Sequence, residues 1–169
     1  MRILLLTAAL MFTCIGCSKP SAEEMFNKGV EAQRMDQYDN AISTYQQLAE
    51  TYPDSSRAPE AVYAIGSIYQ NHKHSYHEAI QSYRRLLEKY PQHATAANAS
   101  FLIGFIYNNE LKNIDSARIA YEDFMRRYPA NQLVASAQFE VANLGKNPAD
   151  LLNVQSPLAQ QKTKPAGKK

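Results

Sequence analysis

Apolar residues recur at helical spacing through most of the chain, interrupted by short polar turns. Between residues 58 and 71 they fall at Ala61, Val62, Ile65, Ile68 and Tyr69, which predicts one helix. Pro59 lies in its first turn, where a missing N–H costs nothing. A polar turn at His72 to Ser75 follows, and Tyr76, Ala79, Ile80, Tyr83, Leu86 and Leu87 mark the stripe of a second helix. Pro91 ends that helix, and its ring pushes Tyr90 out of the α region.

The same pattern returns at a fixed interval. Tyr52-Pro53, Tyr90-Pro91 and Tyr128-Pro129 are 38 residues apart, as are Ala41, Ala79 and Ala117, and Tyr45, Tyr83 and Tyr121. Upstream, Tyr63-x-x-Gly66-x-x-Tyr69 recurs as Phe101-x-x-Gly104-x-x-Tyr107; Phe26-x-x-Gly29-x-x-Ala32 is a looser copy, offset by 37 because its turn is one residue shorter. The chain therefore holds three copies of one two-helix unit. The small residues Gly66 and Ala79 are expected where the paired helices come closest. A further helix at Leu133 to Leu144 repeats Ala99, Phe101 and Gly104 as Ala137, Phe139 and Ala142, and is expected to cap the open end of the stack.

These residues resemble the tetratricopeptide repeat family, whose first helix carries a large residue, then Leu-Gly and Tyr, and whose second carries Ala, an aromatic and Pro. Gly66, Tyr69, Ala79, Tyr83 and Pro91 fill those places, as do Gly104, Tyr107, Ala117, Tyr121 and Pro129, with Gly29, Ala41, Tyr45 and Pro53 in the first copy. The resemblance implies an all-α fold, a tetratricopeptide-repeat right-handed superhelix of antiparallel helix pairs. Three repeats, at about 21–56, 57–93 and 94–131, are followed by a capping helix at 132–145. The extra residues after each proline, as in Pro53-Asp54-Ser55-Ser56, resemble the linkers of BamD-like outer-membrane assembly lipoproteins, and are similar to those of the CpoB repeat domain.

The N-terminus adds a location. Arg2 precedes a 13-residue apolar stretch, Ile3 to Ile15, which matches the core of an export signal; a membrane anchor helix is the alternative reading, but the stretch is short for one. Cys14-Ile15-Gly16-Cys17 resembles a bacterial lipobox, with Cys14 where Leu is usual. That resemblance implies a signal peptide at 1–16, cleavage after Gly16, a lipidated Cys17 and a short linker at 17–20. Ser18 is similar to the residue that directs such proteins to the outer membrane, so the expected location is the outer membrane, lipid-anchored and facing the periplasm. Residues 146–169 carry five Lys against Asp150 alone and lose apolar periodicity, and are expected to form a disordered basic tail.

Composition narrows the function. The net charge of +2 gives no electrostatic reason to expect nucleic acid. Both cysteines lie in the first 17 residues, so the repeat body has no thiol nucleophile and no disulfide framework. No nucleophile-elbow, zinc-protease or phosphate-loop spacing occurs, which argues against an enzyme, and nothing calls for a cofactor or a small-molecule substrate. His72, His74 and His77 are the one metal-like cluster, and an exposed polar turn is the simpler account of them. Arg84-Arg85 and Arg126-Arg127 recur on the second helices, where an outer face paired with nearby acids is expected.

Repeat proteins of this kind bind partners along the groove of their first helices. By the resemblance, the facing positions are Phe26, Val30, Gln33 and Arg34; Tyr63, Ser67, Gln70 and Asn71; and Phe101, Phe105, Asn108 and Asn109. Amides with aromatic anchors suit an extended peptide or another envelope protein; the alternative is that Phe26, Tyr63 and Phe101 only pack between repeats. The expected function is a non-catalytic scaffold at the outer membrane, with outer-membrane protein assembly as its setting. A Tol-Pal-type or secretin-pilotin adaptor is the alternative, followed by a small protein with a histidine metal site.

Overall fold

A computed structural model describes residues 19–146, and all of its regular structure is helical. The helices are α1 (Ala22–Arg34), α2 (Tyr38–Thr51), α3 (Arg57–Asn71), α4 (Tyr76–Lys89), α5 (Ala94–Phe105), α6 (Ile114–Arg127) and α7 (Val134–Asn143). Each packs on the next, giving three antiparallel pairs, α1/α2, α3/α4 and α5/α6, with α7 laid on α6. The lipobox with Cys17, and the tail from residue 147 onward, lie outside the described residues.

The helix ends follow from local chemistry. Ser21 caps α1 through a reciprocal pair: its hydroxyl accepts from the Glu24 N–H, and its own N–H donates to the Glu24 carboxylate at 2.7 Å. Asn113 caps α6 by accepting from the Ser116 N–H at 3.0 Å. The second helices end at Tyr52, Tyr90 and Tyr128, with φ/ψ of −131/58°, −134/51° and −127/55°, outside the α region that the following proline disfavours.

Inside each pair the turn reverses through a non-glycine residue in the left-handed region, Asp36, His74 or Lys112, with φ of 57°, 51° and 52°. Each stands two residues before the second helix, so the strain repeats in register although no glycine supplies it. The third pair enters its turn differently: Ile106–Glu110 is a π-helical turn at the end of α5.

The core is built from the repeated positions. Ala41, Tyr45 and Leu48, Ala79, Tyr83 and Leu86, and Ala117, Tyr121 and Phe124 are all essentially inaccessible. A Cβ added at Gly66 would come within 2.5 Å of the Tyr83 ring, and one at Gly104 within 2.6 Å of Tyr121; Gly29 meets Tyr45 in the same way. Gly66 thus stands at a close approach of the paired helices, as expected, and the atoms nearest its missing Cβ belong to the tyrosine. The glycine makes room for the tyrosine ring, and Ala79 is fully buried on the second helix.

Candidate functional site

The first helices form one layer. α1 packs on α3 and α3 on α5, whereas the second helices do not pack on one another in this way. The stack is therefore tighter along its first helices and splayed along its second, as a curved solenoid requires.

The structure divides the twelve first-helix positions into two classes. Phe26, Tyr63 and Phe101 are half-buried against Tyr45, Tyr83 and Tyr121 of their own repeats, with ring centroids 5.5, 5.6 and 5.3 Å apart. Each ring packs on the core tyrosine of its own helix pair, and Phe26 also meets Arg57 of the next repeat. Gln70 is only 9% exposed, and its side-chain carbonyl accepts from the Tyr83 hydroxyl at 3.0 Å. Gln33 stands in the same relation to Tyr45, at a longer 3.5 Å. Asn108, one methylene shorter, reaches away to Glu140 on α7 at 3.1 Å, and the buried Tyr121 hydroxyl has no partner among the described residues. Burial makes ionisation of these phenols costly: the Tyr45 pKa is pushed up to about 12, and those of Tyr83 and Tyr121 are raised as well.

The remaining positions stay available. Val30, Ser67 and Phe105 lie just after the glycines, and Arg34, Asn71 and Asn109 lie one turn further on. All are half-buried or exposed. Their polar contacts are local: Asn71 donates to the Ser67 hydroxyl, Asn109 to the Phe105 carbonyl, and Arg34 stands 4.0 Å from Glu31. Such bonds within one helix exchange readily with water or a partner. The wall that could meet a ligand is thus these six side chains, alternating a small or apolar residue with a polar one.

The second-helix face holds a cleft of about 730 Å³ between α4 and α6, a direct consequence of their splay. Leu87, Ile103, Tyr107 and Ile119 form its apolar surface, with Arg84 and Arg126 beside them. Arg84 donates to the Tyr107 hydroxyl at 3.3 Å, whereas Arg126 and Arg127 both pair with Asp123. The expectation of arginines paired with nearby acids thus holds for α6; on α4, Arg85 stands 3.9 Å from Glu50. Among the described residues no three His, Cys, Asp or Glu side chains are grouped so as to hold a metal ion. His72 stacks on Tyr38 at 4.3 Å, and His74 shares a hydrogen bond with Tyr76.

Two sets of contacts that the periodicity did not reveal hold the wall in register. Tyr90 and Tyr128 donate their hydroxyls to the carbonyls of Pro53 and Pro91, at 3.0 and 3.2 Å, each reaching back one repeat, and Tyr52 donates to the Pro20 carbonyl just before α1 at 2.7 Å. The 38-residue recurrence of Tyr-Pro was the available signal, but it reads equally well as a helix stop. Arg57, at the start of α3, donates twice to Glu23 of α1 at 2.6 and 2.9 Å, pairs with Glu60, and lies 4.8 Å over the Phe26 ring. These contacts hold the Glu23 carboxyl below its usual range.

No helix among the described residues is long and apolar enough to cross a membrane. No curated protein matches the chain. Residues 18–150 match the family described as YfiO, outer membrane lipoprotein, so that three helix pairs, a seventh helix and the start of the following segment all fall within the match. The chain belongs to this outer membrane lipoprotein family.

Proposed function

We propose that this protein is a non-catalytic, lipid-anchored scaffold on the periplasmic side of the outer membrane, working in outer-membrane protein assembly. The observation that carries the reading is the row of uncommitted side chains along the first helices of an outer membrane lipoprotein: Val30, Ser67 and Phe105 beside Arg34, Asn71 and Asn109. Side-chain amides satisfy the backbone donors and acceptors of an extended segment, and Phe105 supplies buried apolar area. The occupant is an extended stretch of another envelope protein. Phe26, Tyr63 and Phe101 contribute indirectly, by setting the helix pairs on which the row stands.

The anchor is assigned to Cys17, since acylation there puts more than one chain on a single residue, which is enough for stable attachment. Palmitate labelling should be lost in Cys17→Ala and kept in Cys14→Ala; the reverse pattern would move the anchor to Cys14. The docking face is tested with a photo-crosslinking residue placed in living cells at Ser67, Asn71 or Phe105 and, separately, at Arg84 or Ile119. Adducts with an envelope protein should form from the first three positions. Adducts only from the last two would move the binding face to the α4/α6 cleft.

A further inference from the structure

In each repeat the first helix presents a face of small, aromatic and small residues: Ala22, Phe26 and Gly29; Pro59, Tyr63 and Gly66; Ala97, Phe101 and Gly104. The second helix of the same repeat covers that face, laying Tyr45, Tyr83 or Tyr121 on the glycine and against the aromatic ring. α7 carries the same face as Ala135, Phe139 and Ala142, and among the described residues nothing covers it: Phe139 is 50% exposed, and both alanines are exposed.

We propose that residues 148–159 of this chain dock on that face as the second helix of a fourth repeat. The first argument is chain length. Tyr38, Tyr76 and Ile114 begin the second helices four or five residues after Arg34, Asn71 and Glu110. The same step from Asn143 arrives at 147 or 148, where Pro148 suits a first helical position.

The second argument is register. Counted from its first residue, α2 buries Ala41, Ile42, Tyr45, Leu48 and Ala49, and α4 buries Ala79, Ile80, Tyr83, Leu86 and Leu87. The same steps from Pro148 fall on Leu151, Leu152, Gln155, Leu158 and Ala159. Four of the five are apolar, and the exception is informative. Gln155 stands where the other repeats place a tyrosine on glycine, and here the opposing residue is Ala142. A Cβ at that place cannot coexist with a ring at the spacing of the other repeats, as Gly66 and Gly104 show. Leu151 in place of a small alanine holds the docked helix slightly further off, which Ala142 also requires. Pro157 removes one backbone bond near the end of the segment, so this is the weakest of the second helices. Docking buries Phe139 and leaves only the lysine-rich end, 160–169, as the basic tail.

Hydrogen exchange of the full chain in detergent micelles tests this. Amides of residues 151–156 should exchange at least tenfold more slowly than in a free peptide of the same sequence. Phe139→Ser should abolish that protection, and so should Leu152→Asp, which leaves the sequence of α7 unchanged. Free-peptide rates at 151–156 in the unmodified chain would overturn the proposal. Protection that vanishes on dilution would also overturn it, since a second copy would then be the occupant, and so would protection that survives Leu152→Asp.

Discussion

The Tyr90 hydroxyl donates a 3.0 Å hydrogen bond to the carbonyl of Pro53, the same element of the preceding repeat. Tyr128 to Pro91 repeats this tie, so the second and third Tyr-Pro pairs both end a helix and bind their repeat to the one before, while Tyr52 holds the Pro20 carbonyl at the entry to α1. In a stack where each unit touches only its neighbours, such ties set how cooperatively the repeats unfold.

Tyr90→Phe should therefore cost about 1 kcal/mol, the usual net worth of one hydrogen bond, and broaden the unfolding transition. Urea melts followed by circular dichroism read both effects. An unchanged midpoint and slope would mean that the tie is incidental.

The three core tyrosines should respond unequally to loss of the hydroxyl. Tyr83→Phe leaves the buried Gln70 amide without its donor and should cost about 1–3 kcal/mol. Tyr121→Phe removes a buried hydroxyl that has no partner among the described residues and should be neutral or stabilising. Equal losses in thermal melts of the two variants would contradict the assignment of Gln70 as a structural residue.

Filling a glycine should be costly because of the ring above it. Gly66→Ala forces the Tyr83 ring or the α3/α4 spacing to shift, at about 1–3 kcal/mol for overpacking. Adding Tyr83→Leu should cost less in the Gly66→Ala background than in the wild type, because the crowded ring is gone. Strict additivity in that cycle would show that the glycine does something other than admit the ring.

Alkaline pH should unfold the protein. Tyr45, Tyr83 and Tyr121 have raised pKa values in the folded state, so between their ordinary value of 10.0 and about 12 for Tyr45 the unfolded chain releases protons that the folded chain keeps. Stability is then full below about pH 10 and falls as the pH rises through the folded values. Melting temperatures from pH 7 to 11 should stay level at first and drop only above pH 10. A decline beginning near neutrality would point to other groups.

The amino-acid sequence by itself determined the repeat. A period of 38, carried by Tyr-Pro, Ala and Tyr, marks the repeated unit, and the apolar spacing within each dozen residues makes that unit a pair of helices. Proline stops are local in the same sense, which is why the helix ends at Tyr52, Tyr90 and Tyr128 are legible from neighbouring residues alone. What each side chain does once the helices stack depends on partners far along the chain, and no local pattern encodes it. Gln33, Gln70 and Asn108 look alike as surface amides, yet contact over 12 or 13 residues commits the first two to tyrosines, and one missing methylene sends Asn108 to α7. Of the twelve wall positions read from the sequence, Gln33 and Gln70 have their side-chain carbonyls engaged by core tyrosines, because a polar side chain follows the partner that stacking brings to it. The Arg57–Glu23 clamp and the tyrosine ties to Pro20, Pro53 and Pro91 span 32 to 37 residues, and only the three-dimensional stacking brings those groups within hydrogen-bond distance.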